Sequence, residues 1–375
     1  MYLAQQNSQD FFVYWRASLE WIQRGNSPFG NYLEAAGSSY KGFVFKYPPW
    51  IVPLFLPLGF LSFPFSKILW SSGELFCIGY TVYWLLGQKV SRGVAILSLV
   101  SYWWVWLPHF QSGQITLILL ATALFWEKNR ESKFRSTLLV LVFSAKVFSL
   151  NSLFGGWKFL FRKSVVSRVI LFVVALCALV IGVRGLSSQF TSFQELFQSW
   201  FQAAFSGGQD LPENVVRGTN NQGFTALILR VFKVPQSSSH FDILVFLGLT
   251  ACLTPIWARV SRGLRFSEKW AGYLALGPLV HPLGWDHSFV LAFPVGALAL
   301  GAAVKLKKNH WIALSLLALI SVGCLSANIF PDSWVPVMQL CSLRSWGVCL
   351  SASVLVACGG LETRTEIGDG AQFSV

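Results

Sequence analysis

The stretch His281–Lys308, HPLGWDHSFVLAFPVGALALGAAVKLKK, carries the grammar of the whole chain. From Ser288 to Val304 it holds no charged side chain, close to the roughly 20 apolar residues a helix needs to cross a bilayer. A polar turn precedes the run, and Lys305, Lys307 and Lys308 close it. Working outward, apolar runs recur from Val52 to Ala357 with only short polar breaks. Of 375 residues, 54% are hydrophobic and 12% charged, with mean hydropathy +0.54, where soluble domains carry about 25% charged residues. So few charges cannot cover a soluble surface. The composition predicts an all-α polytopic transmembrane helix bundle, and excludes a soluble enzyme or a secreted protein.

The net charge of +13 does not point to nucleic acid, because the basic residues form short clusters between apolar runs rather than one solvated face. Apolar runs predict helices near 66–86, 94–108, 112–127, 136–149, 150–162, 168–186, 241–259, 270–283, 286–304, 310–327 and 343–359. The pair around Asn151 also reads as a broken or re-entrant segment. With this assignment Lys89/Arg92, Lys128/Arg130/Lys133/Arg135, Arg162/Lys163/Arg168, Arg259/Arg262/Arg265/Lys269 and Lys305/Lys307/Lys308 share one side, which the positive-inside rule makes cytoplasmic. The opposite connections, around His109–Gly113 and Gly284–Trp285, hold no Lys or Arg.

The expected organisation is one integral membrane domain over 1–375, with outer segments 1–65 and 187–240 capping the site. The proline-broken stretch from Tyr47 to Phe63 reads as lying in the outer interface. Trp70 and Tyr102–Trp106 fit aromatic belts. The seven cysteines form no C-x-x-C pair and read as lipid-facing or core residues, with no metal site. The first polar segment is placed outside with no apolar run before it and no signal peptide in Met1–Asn7. This predicts about eleven spans in the sequence and about twelve with a first helix that a misassigned start or truncation has removed.

Several polar groups stand where chemistry is expected. Asp10, among Phe11, Phe12, Tyr14 and Trp15, suits a partly desolvated general base; equally, Asp is a favoured helix N-cap. His109-Phe110-Gln111-Ser112-Gly113-Gln114 gathers uncharged polar groups able to bond a sugar or headgroup, or simply to cap the next helix. Lys146 lies within an apolar run, where an ionisable group points to function with an anionic phosphate as partner, or else snorkels to the interface. Asn221-Gln222 followed by Arg230 offers amides and a guanidinium suited to phosphate, against the alternative of a solvated loop opening a helix. His281-Pro282-Leu283-Gly284-Trp285-Asp286-His287 collects two histidines, an acid and an indole in one outer turn: donors to phosphate, a proton shuttle or a sugar platform, with no third ligand to suggest a metal.

In this order the motifs resemble glycosyltransferase family 87, the polyprenyl-phosphate-mannose-dependent mannosyltransferases of the C-type membrane superfamily. The carriers are Asp10 with Tyr14, Tyr47-Pro48-Pro49, Gly113-Gln114, Lys146, Asn221-Gln222 with Arg230, and Trp285 with His287 and Pro294. The chain departs in the absent helix before Asp10, in its paired Pro48-Pro49, and in Gly223 where a Ser often stands. The resemblance implies an outward-facing cavity in the cytoplasmic membrane, a polyprenyl-phosphate-sugar donor, and a lipid or glycan acceptor. Asp10 would be the base; Lys146, Arg230 and His287 would stabilise the departing lipid phosphate; Tyr14, Tyr47, Gln111, Gln114, Asn221, Gln222, His281 and Trp285 would line the substrate site. It further implies inversion at the anomeric carbon and no cofactor or obligatory metal, with mannose the first sugar to test. The rival class is a transporter or flippase of a lipid-linked or anionic solute. Against it stand the lack of an internal repeat and the gathering of polar groups at outer loop ends. A purely structural assembly subunit would have no use for the His281–His287 turn.

Overall fold

The computed structural model describes residues 9–24, 27–29, 45–184, 193–203, 221–234, 239–282, 284–324 and 333–370. Among them every regular element is helical. In chain order they are α1 (Gln9–Arg24), a 3-10 turn at Pro49–Ile51 running into α2 (Val52–Gly59), α3 (Phe63–Gly87), α4 (Arg92–Ser101), α5 (Trp103–Ser112), α6 (Thr116–Glu127) and α7 (Lys133–Phe143). A 3-10 stretch at Val147–Gly156 leads to α8 (Trp157–Leu160), α9 (Lys163–Arg184), α10 (Phe193–Phe201), α11 (Phe224–Val231), α12 (Ser239–Val260) and α13 (Phe266–Val280). A further 3-10 stretch, Asp286–Ala292, opens α14 (Phe293–Lys305), followed by α15 (Asn309–Gly323), α16 (Trp334–Leu340) and α17 (Leu343–Gly370).

Three stretches are long and apolar enough to cross a membrane, Lys163–Val180, Phe241–Val260 and His287–Lys305. The count rises to five if two bent pairs each make one span: Pro49–Gly59 with α3, bent by 117°, and α4 with α5, bent by 63°. Other expected spans appear as shorter apolar helices, Thr116–Glu127, Asn309–Gly323 and Leu343–Gly359. The run expected as helix over 136–149 stops at Phe143, and that expected over 150–162 is mostly 3-10 helix ending in α8. Within the Tyr47–Phe63 segment Pro49–Gly59 is helical, Pro57 included, and the chain turns sharply into α3 across Phe60–Ser62.

The chain divides into two compact units, the first made of Met1–Cys77, His109–Val147 and Lys158–Glu213, the second of Ile78–Pro108, Phe148–Trp157 and Asn214–Val375. In the first, α1 packs along α2. Its sequence places Phe11, Tyr14, Ser18 and Trp21 at helical spacing on one buried face, against Val52, Phe55 and Leu58. Ser18 ties the pair by donating to the Phe55 carbonyl at 2.9 Å. Helices α6, α7, α9 and α10 also belong to that unit, α7 packing against both α6 and α9.

In the second unit α14 is central, touching α4, α13, α15 and α17. The His287–Lys305 window is 78% buried, whereas Phe241–Val260 is only 6% buried. The contrast separates a core helix from one that offers its apolar side chains to lipid, since both are equally hydrophobic.

Candidate functional site

The site in the first unit is built around the three-residue link Gly113–Ile115 between α5 and α6, together with Thr116, the first residue of α6. Gly113 adopts φ +73°, and a Cβ there would stand 2.5 Å from the Phe11 Cβ and 3.0 Å from the Lys67 ammonium. Only glycine allows the start of α1 to come this close. The contact sets Asp10, in the first turn of α1, beside Gln114, whose side chain hydrogen-bonds its carboxylate.

Asp10 is half-buried, and burial pushes its carboxyl above the ordinary carboxylate range. The Gln114 bond, then Lys146 and Lys67, pull in the opposite direction. The next residues of the link extend the pattern. The Ile115 backbone bonds the Tyr14 phenol, which also shares a 2.6 Å hydrogen bond with the Tyr47 hydroxyl. Burial raises both phenols well above their usual value, so they stay neutral donors. Thr116 Oγ1 accepts from the Lys146 ammonium at 2.9 Å. Expected residues Asp10, Tyr14, Tyr47, Gln114 and Lys146 are thus gathered around one turn. Gln111 is not: it is exposed on the last turn of α5.

Four participants were not singled out from the sequence for this role: Thr116, Lys67, Glu74 and the ring of His109. Lys67 donates to the Phe110 carbonyl at 2.9 Å and stands 5.2 Å from the Phe11 ring centroid. Glu74 and His109 are fully buried and meet at 3.1 Å. Lys67 and Glu74 are ionisable residues within an expected apolar helix, the same signal that marked Lys146.

In the second unit Asn221 and Gln222 serve structure. Asn221 Nδ2 donates to the Pro282 carbonyl at 2.5 Å, and its Oδ1 accepts from the Gly284 amide at 2.8 Å. Thr225 donates to the Val280 carbonyl at 2.6 Å, and Gln222 donates its backbone N–H to the Gly284 carbonyl at 2.9 Å. The solvated-loop alternative therefore fails: both side chains are buried, Asn221 pins the turn after α13, and the Gln222 side chain donates to the Gln339 carbonyl at 2.9 Å.

Arg230 likewise donates to the Asn221 carbonyl at 2.7 Å and the Ser342 hydroxyl at 2.9 Å. It shapes the end of α11 more than it offers a guanidinium fork. What that scaffold presents is the turn itself, where Trp285 and His287 are half-buried with rings 5.8 Å apart and His281 is half-buried at the end of α13. Among the described residues no three His, Cys, Asp or Glu side chains gather as metal ligands would.

Neither a curated protein nor a solved structure matches the chain. The family model for glycosyltransferase family 87 matches residues 45–282, well over half of it. The match takes in Tyr47, Gln114, Lys146, Asn221, Gln222, Arg230 and His281, with Asp10 and Tyr14 before it and Trp285 and His287 after it. Helices fit to cross a membrane, the all-helical fold and this match agree: the chain belongs to glycosyltransferase family 87 and is a membrane glycosyltransferase.

Proposed function

We propose that the protein moves a hexose, mannose first among candidates, from a polyprenyl-phosphate donor to a lipid or glycan acceptor at the outer face of the cytoplasmic membrane. The fold is proposed as one integral membrane domain of about eleven spans, several of them built from helices shorter than a full crossing.

The observation that carries the chemistry is the Asp10 carboxylate, held by neutral Gln114 while two ammonium groups, Lys146 and Lys67, act on it through space. Such a carboxylate is oriented yet available to accept a proton, and its raised pKa makes it a stronger base than an exposed aspartate. In the reaction the acceptor oxygen attacks the anomeric carbon as its proton passes to Asp10. The bond from that carbon to the phosphate oxygen breaks, and the polyprenyl phosphate leaves as an anion. One in-line displacement inverts the anomeric centre. Lys146 is proposed to stabilise the charge that develops on the leaving phosphate, where a preoriented cation acts most strongly.

Tyr14 and Tyr47 are proposed as neutral donors to the sugar or acceptor. In their own unit, Trp285, His281 and His287 are proposed as donor-binding groups, with Asn221, Gln222 and Arg230 holding the turn that presents them. The test is transfer by purified protein in lipid, supplied in parallel with labelled polyprenyl-phosphate-mannose and with the corresponding glucosyl and pentosyl donors. Transfer from the mannosyl donor with an inverted product anomer supports the reading. Transfer only from another donor replaces mannose, and a retained anomer removes Asp10 as the base of a single displacement.

A further inference from the structure

His109 and Glu74 form a fully buried pair that the reaction above does not use. The hydrogen-bond directions around the ring follow from chemistry alone. The Leu117 backbone N–H points at His109 Nε2 at 3.1 Å. A backbone N–H can only donate, so Nε2 accepts and the ring proton sits on Nδ1, where it is given to Glu74 Oε1 at 3.1 Å. His109 is therefore held as one tautomer by Glu74 while it binds the first turn of α6.

That turn has no side-chain cap of its own, for Ile115 stands at its N-cap position. A histidine from α5 supplies the missing acceptor. The residues beside this cap are the ones that hold the reacting groups: Gln114 bonds Asp10, the Ile115 backbone bonds Tyr14, and Thr116 bonds Lys146.

We infer that His109, oriented by Glu74, is a positioning residue that pins the Gly113–Leu117 turn so that Gln114 and Thr116 hold Asp10 and Lys146 in register. The inference rests on Asp10 being the base. Glu74 acts as an acceptor for Nδ1–H, so Glu74→Gln, which retains an acceptor oxygen, keeps the device working while Glu74→Ala releases the ring.

The experiment combines backbone hydrogen exchange with steady-state transfer on the full-length protein in lipid. In His109→Ala, residues 113–118 and the start of α1 should exchange several-fold faster, while α12 is unchanged. With polyprenyl-phosphate-mannose as donor, kcat should fall roughly ten- to a hundredfold with KM within about twofold, as a displaced catalytic group requires. The losses from His109→Ala and Gln114→Ala should not multiply in the double variant, because both act through the same contact to Asp10.

Unchanged exchange at 113–118 and α1, an unchanged kcat, or losses that multiply would each overturn the inference. If the wild type transfers nothing from any donor, the proposed reaction fails by itself and the exchange result still decides the positioning claim. Should His109→Ala loosen α12 as well, His109→Gln, which keeps an acceptor for Leu117, must bring residues 113–118 back near wild-type exchange. If it does not, the inference falls.

Discussion

Asp10 combines two demands that usually conflict, partial burial and a charge. Because burial raises its pKa, the folded chain binds the Asp10 proton more tightly than the unfolded chain does. Stability from this group is therefore present below the unfolded carboxylate value, about 3.9, and is lost as pH climbs through the raised folded value. Two outcomes follow. The acid limb of the kcat/KM profile for transfer lies above the ordinary carboxylate range. Asp10→Asn at neutral pH unfolds at the same or a higher temperature than wild type, and the difference shrinks on acidification; thermal melts across pH measure it.

Gly113 belongs at the same scale. Gly113→Ala forces a side chain into a left-handed backbone, at about 1–2 kcal/mol, and drives a methyl against Phe11 beside Asp10. Lower thermal stability and a kcat reduced at least tenfold are expected together. Lys146 stands out in the sequence as an ionisable residue inside an apolar run, whereas Asp10, Gly113 and Gln114 stand out through polar groups set beside aromatic and apolar stretches and through the family resemblance. The Glu74–His109 pair stayed hidden because nothing in a linear sequence says which of many apolar neighbours a buried carboxylate will face. The ligand's role expected of Asn221 and Arg230 meets bonds within the chain, from Asn221 to the Pro282 carbonyl and from Arg230 to the Asn221 carbonyl and the Ser342 hydroxyl.

Among elements, close approach decides what the helices can tolerate. At the end of α15, a Cβ on Gly323 would run into the Ser101 carbonyl at the end of α4. The clash is with backbone, which cannot rotate away as a side chain could. Gly323→Ala should cost about 1–3 kcal/mol of stability by overpacking, read as a lowered melting temperature. Gly79→Ala on α3, where the added methyl meets nothing within 4 Å, is the tolerated control.

Helices α3, α9 and α12 lie within a few residues of the runs read at 66–86, 168–186 and 241–259, because each is continuous and apolar. The run over 136–162 was harder to read. Apolar length cannot separate an α-helix from a 3-10 stretch, and the small residues Ser152, Gly155 and Gly156 let the chain tighten there. The bends at Gly59–Phe63 and Ser101–Trp103 are likewise invisible to hydropathy, which measures composition and not direction.

For the whole molecule, the charge pattern sets an orientation that is open to direct test. The cluster from Lys128 to Arg135 is proposed to face the cytoplasm, and Gln111, exposed at the end of α5, the outside. In a cysteine-depleted background, Gln111→Cys should react with an impermeant thiol reagent added to intact cells, and Lys133→Cys only after the membrane is opened. The reverse pattern would invert the proposed topology.

The central claim is that Asp10 takes the acceptor proton during sugar transfer. The most direct measurement is transfer from labelled polyprenyl-phosphate-mannose by wild type and Asp10→Asn in lipid, with donor binding measured on both. The account predicts a loss of roughly a hundred- to ten-thousand-fold in kcat with donor affinity retained, the range expected for removal of a general base. Turnover by Asp10→Asn at the wild-type rate would contradict it.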